Sequence, residues 1–115
     1  MKKLLLINLL SVLSLNAWLQ DVPFDKALFK ERKEEFKIAE DELKAGDDLF
    51  LGYPADYQAA VEHYLKANAF NPNSGDLNYK IGICYLNFDK YQMKPYFEKA
   101  YNLKPTVSPD ILFYM

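Results

Sequence analysis

The chain has 115 residues, 50% of them apolar, with 14 basic and 16 acidic side chains, a net charge of −2 and a single cysteine. This length suits one small domain and not two. The charge balance gives no basic excess for neutralising phosphates, which argues against nucleic acid as a partner, and the lone Cys84 excludes an internal disulfide framework. Aromatic residues reach 16%, with nine Tyr and eight Phe, and so large a share demands a structural use.

Residues 1–20 stand apart by composition. Lys2 and Lys3 precede an apolar run from Leu4 to Leu15, broken only by Asn8, Ser11 and Ser14, and no acidic residue appears before Asp21. This is the layout of a secretory signal peptide, with cleavage after the small Ala17 favoured and a mature start between Trp18 and Asp21. The apolar run is shorter than the roughly 20 residues that cross a bilayer, so no membrane span is expected after signal removal. No cysteine follows it to carry a lipid anchor.

Residues 21–25 read as a short extended linker, because Pro23 disfavours helix at the residue before it. A long helix is expected over 26–51. Phe29, Phe36 and Leu43 recur at seven-residue intervals, and Lys30, Glu31, Lys33, Glu34, Lys37, Glu40 and Lys44 supply a solvated face. Further along, the chain resembles itself. Ala67 to Pro72 parallels Ala100 to Pro105, with the two prolines 33 residues apart. Tyr57, Ala60, Tyr64 and Ala67 precede the first proline as Tyr91, Met93, Phe97 and Ala100 precede the second, and Gly46 and Gly82 sit in the helices before them.

These residues resemble the tetratricopeptide repeat, a helix-turn-helix unit of about 34 residues closed by a proline. The resemblance implies an all-α solenoid with one unit over 39–72, a second over 73–105 and the start of a third over 106–115. Gly46, Ala60, Ala67, Gly82 and Ala100 would allow close helix approach, Tyr57, Tyr64, Tyr85 and Phe97 would fill the space between helices, and Pro72 and Pro105 would close the units. Asp110 to Phe113 follows Asp76 to Tyr79 by 34 residues, so a helix is expected to start at Ser108-Pro109 with Ser108 as its cap and the natural chain to continue, the alternative being a short capping helix over 109–115 docked on the second unit.

The same resemblance places a concave protein-binding face on Glu40, Leu43, Asp47, Phe50 and Leu51 of the first unit and on Asp76, Tyr79, Ile83, Leu86 and Asn87 of the second. By residue type that face is acidic and apolar, suiting a partner with basic and apolar features. It lacks the Lys and Asn arrangement with which chaperone-binding members of the family clamp a carboxylate. The same residues could equally meet the long N-terminal helix or the rest of the protein. No enzyme activity, cofactor or metal site is expected. His63 reads as a partly exposed surface residue beside the packing row and Cys84 as a buried thiol, while Gly46, Gly52, Gly75 and Gly82 form no phosphate loop.

A narrower resemblance rests on Asp21 to Phe24, Tyr64 to Asn73, Leu77 to Leu86 and Pro95 to Pro105. These stretches look like exported Bacteroidetes proteins in which such repeats precede β-propeller repeats and an OmpA-like peptidoglycan-binding domain, some acting in type IX secretion and gliding. The implied role is an N-terminal interaction module of an outer-membrane-associated protein in the periplasm, with peptidoglycan reached only through downstream domains. The alternative is a structural appendage to a downstream catalytic domain of an exported enzyme.

Overall fold

The computed structural model describes residues 20–115, so the signal-peptide expectation lies outside the described residues save for Gln20. The described part is all-helical: α1 (Lys33–Phe50), α2 (Tyr57–Phe70), α3 (Gly75–Phe88), α4 (Met93–Leu103) and α5 (Ile111–Tyr114), with 3-10 turns at Lys26–Phe29 and Lys90–Gln92. Each helix packs on the next in the chain. Contacts run in opposite senses along neighbours, since Phe36 meets Phe70 while Phe50 meets Tyr57, and Asp76 pairs with Lys104 while Tyr85 meets Tyr96. The α1–α2 and α3–α4 pairs are therefore antiparallel hairpins.

Local chemistry sets the helix ends. The Asp56 carboxylate accepts from the Ala59 N–H at 3.0 Å and starts α2, and the Ser74 hydroxyl accepts from the Leu77 N–H at 3.1 Å and starts α3. Between the hairpins a four-residue turn, 71–74, is held by the fully buried Asn78, whose amide donates to the carbonyls of Pro72 and Ser74 at 3.0 and 2.8 Å.

The core is built at two matching crossings. A Cβ on Gly46 would lie 2.6 Å from the Tyr64 ring, and a Cβ on Gly82 would lie 2.6 Å from the Phe97 ring. Both rings are 0% exposed, so each glycine is the space that its aromatic partner fills. Ala60, Ala67 and Ala100 are likewise 0% exposed, as close approach of the helices requires. The main cluster joins Val61, Tyr64, Leu77, Ile81, Cys84 and Tyr85 across α2 and α3, and a second joins Phe97, Ala100 and Ile111. Burying each of the larger apolar side chains contributes about 2 kcal/mol against the entropy of ordering it. Tyr57 is only half-buried, against Phe50, and Pro72 and Pro105 are exposed. The prolines terminate helices without packing between them, since their rings project from the turns.

The long helix expected over 26–51 is two pieces. The Asp25 side chain accepts from the Ala27 N–H at 3.0 Å and starts a 3-10 turn, and Arg32 leaves helical geometry at φ −131° and ψ 45° before α1 begins. The reason is aromatic packing. Seven residues of continuous helix rise about 10 Å, yet the rings of Phe29 and Phe36 stack with centroids 5.5 Å apart. Breaking the helix brings Phe29 to both Phe36 and Phe70, the latter at 4.9 Å, and sets the Arg32 guanidinium 4.4 Å above the Phe70 ring.

The expected linker is also more than a linker. Val22 N–H donates to the Asn73 carbonyl and Asn71 Nδ2 to the Val22 carbonyl, both at 2.8 Å, while the Asp21 carboxylate accepts from the Gly75 N–H at 2.7 Å. Residues 21–25 form a strap pinned across the α2–α3 turn. Gly75 admits it, because a Cβ there would sit 3.2 Å from Asp21 Oδ1 and 2.7 Å from Lys104 Cβ. At the other end the helix expected from Ser108 starts later, at Ile111. The Ser108 hydroxyl is turned to the Asp110 carboxylate in place of capping, and Ile111, at 1% exposure, plugs the second cluster.

Candidate functional site

The two rows expected to form a binding face lie on α1, with Leu51 just past its end, and on α3, each at the three- and four-residue spacing that keeps side chains on one side of a helix. They meet at one carboxylate. Asp47 on α1 accepts from Tyr64 Oη on α2 at 2.5 Å and from Lys80 Nζ on α3 at 2.8 Å, so it ties the two hairpins together. The Asp47 and Lys80 side chains are each about one-third exposed, at 31% and 33%, which leaves the pair reachable from solvent. Burial, reinforced by the Asp47 hydrogen bond, holds the Tyr64 phenol far above its ordinary pKa of 10.0, so Tyr64 remains a donor.

Around this junction the face is more neutral than its residue types imply. Asp47 is answered by Lys80, Asp76 by Lys104 at 3.1 Å, and Glu40 by Lys44 at 3.7 Å. Leu43 and Phe50 are half-buried against the main cluster, and Tyr79 and Ile83 against the second. Tyr79 also donates to Asp110 at 3.3 Å, and its phenol is raised by burial, while the Ser108 hydroxyl chiefly holds the Asp110 carboxyl below its ordinary value. Leu86 is half-buried, and the Asn87 amide bonds back to the Ile83 carbonyl at 2.8 Å. Leu51, Asp76 and Asn87 are the residues of the two rows that stand exposed.

Three residues that matter were not singled out by sequence reasoning. Lys80 reads as an ordinary surface lysine until α1 is placed beside α3. Asn71 and Asn78 look like turn and helix polar residues, yet they are 3% and 0% exposed and hold the strap and the turn. The one faint signal is an amide in the buried phase of α3, between Leu77 and Ile81.

The remaining reactive groups are engaged in structure. His63, partly exposed, has its Nδ1 2.6 Å from Glu42 Oε2 across α1 and α2. Cys84 is fully enclosed and burial pushes its thiol up to about 12, which keeps it protonated and unreactive. Among the described residues no group of three or more His, Cys, Asp and Glu side chains could hold a metal ion, and no helix is long and apolar enough to cross a membrane. The arrangement is suited to recognition by surface shape, apolar contact and paired charges. Comparison with protein-family models, curated proteins and solved structures gives no match to this chain.

Proposed function

We propose that the chain is a protein-protein interaction module of the tetratricopeptide type, acting in the periplasm at the outer membrane. The observation that carries the reading is the pair of equivalent crossings, Gly46 on Tyr64 and Gly82 on Phe97, which builds two matching hairpins whose first helices are tied by the Asp47–Lys80 pair. Two such hairpins present a continuous row of half-buried apolar and exposed polar groups on their first helices, the surface that stacked helix pairs offer to a partner. Lys80 and Asp47 sit at its centre, where a partner's backbone or charged side chain would find both signs of charge. The envelope setting rests on the composition of residues 1–20 and on the narrower sequence resemblance. A fusion bearing residues 21–115, used to capture partners from envelope extract, should retain one defined protein that Tyr79→Ala and Asn87→Glu reduce severalfold. Capture of nothing by a folded fusion, or equal capture by both variants, contradicts the reading.

A structural appendage is the second reading, favoured by the exposure of Leu112 and Phe113 beside the second cluster, at 63% and 87%. In that case Leu112→Ser and Phe113→Ser would alter association with the protein's own remaining domains, while Asn87→Glu would not.

A further inference from the structure

We propose that the basic hollow at the foot of α1 is a second docking site, taking an acidic protein segment that carries an apolar side chain. It stands apart from the α1–α3 face and shares only Glu40 with it. The hollow measures about 250 Å³ and is lined by Lys26, Phe29, Lys33, Phe36, Lys37 and Glu40. Beside it lies a wider depression of about 530 Å³ edged by Lys26, Lys30 and Lys33 with Asp25 and Ala27. Four lysines thus converge on one corner of a chain whose net charge is −2.

Three features give the corner the character of a site. Lys26, Lys30 and Lys33 are exposed and make no ion pair among the described residues, whereas Lys37 is held by Asp41 at 2.8 Å. Lys33 is the first residue of α1, where the positive end of the helix dipole, already answered by Glu34 and Glu35 in the same turn, disfavours a further cation. The floor is apolar, made by half-buried Phe29 and buried Phe36, and it exists because the chain breaks before α1 and folds the 3-10 turn back onto the helix. A carboxylate-bearing segment would neutralise the lysines while one of its apolar side chains covers the rings. A flat lipid surface would reach the lysines and leave this floor uncovered.

The test titrates the intact chain into a fluorescein-labelled acidic peptide of Glu and Asp residues around one central Phe, followed by anisotropy. Saturable binding should appear, weaken as salt rises from about 0.1 to 0.3 M, and fall at least tenfold in the double variant Lys26→Glu, Lys33→Glu. Lys90→Glu, at the far end of the molecule, should leave it unchanged. Glu at position 33 suits the start of a helix, so loss of fold does not account for the expected effect. The neutral pair Lys26→Gln, Lys33→Gln should fall in the same direction. Absence of binding, or equal binding by the Lys26/Lys33 variants, overturns the proposal. So does equal binding of the peptide with Ser in place of its Phe. Preference for phosphatidylglycerol vesicles over the peptide overturns it in favour of a membrane surface.

Discussion

Gly82→Ala tests the hairpin crossing most simply. In an exposed helix this change stabilises by about 1 kcal/mol, because alanine restricts the unfolded chain and glycine does not. In α3 the added methyl would stand 2.6, 2.7 and 2.9 Å from three atoms of the Phe97 ring. Ordinary carbon contacts lie at about 3.5–4.0 Å. The ring must therefore move by nearly 1 Å, and it is hemmed in by Tyr79 at 5.8 Å and Tyr114 at 5.1 Å between centroids. Overpacking of this kind costs ~1–3 kcal/mol, and a ring with no free side belongs at the upper end. Less the propensity gain, the net loss is about 2 kcal/mol, a fall in Tm of roughly 10 °C for a domain of this size. Urea and thermal melts followed by circular dichroism read it directly. Combining Gly82→Ala with Phe97→Leu should recover at least ~1 kcal/mol relative to the sum of the single changes. A Gly82→Ala protein more stable than the parent, with additive energies in the double variant, would refute the crossing.

Other expected outcomes follow from the same geometry. Asp47→Ala should destabilise by ~1–3 kcal/mol, since it orphans the buried Tyr64 hydroxyl, whereas Lys80→Ala should cost under ~1 kcal/mol because that pair is partly exposed; urea melts of both variants check the order. Asn71→Ala should cost ~1–2 kcal/mol and speed hydrogen exchange at the Val22 amide, because the strap loses the buried donor at its centre. The Tyr64 phenol is raised in the folded state, so its contribution is fully present below its unfolded pKa of about 10 and is lost as pH rises beyond it. Absorbance at 295 nm should accordingly show one tyrosine ionising only with the alkaline unfolding transition. Cys84 should resist a thiol reagent in the native protein and react at the rate of global opening; fast native labelling would show that α2 and α3 are not closed over it.

The hairpins were legible because their signals are local. Glycine, alanine and aromatic residues recur at matched offsets, and the structure pairs Gly46 with Tyr64 and Gly82 with Phe97, contacts that the pattern did not name. The break before α1 was hidden because the seven-residue spacing of Phe29, Phe36 and Leu43 fits a continuous helix as well as a folded-back turn. Only the position of Phe70, distant in sequence, decides between them. The strap escaped for the same reason: Asp21 and Val22 bond to residues some fifty positions away, and nothing in Asp-Val-Pro marks its target. On the candidate face the rows were readable from helical periodicity, but their charge was not. Lys80 and Lys104 answer Asp47 and Asp76 across helices, and that pairing is a property of the packing.

The α1–α3 face is the surface proposed to meet a partner, and site-directed photocrosslinking in cells reads this most directly. A benzophenone side chain placed singly at Leu51, Asp76 or Asn87, all exposed on that face, should give the same discrete covalent adduct on illumination. The same group at Glu62 or Lys66, exposed on α2, should give none. Adducts from α2 as strong as those from the face, or no adduct from any face position in a folded and abundant protein, would contradict the account.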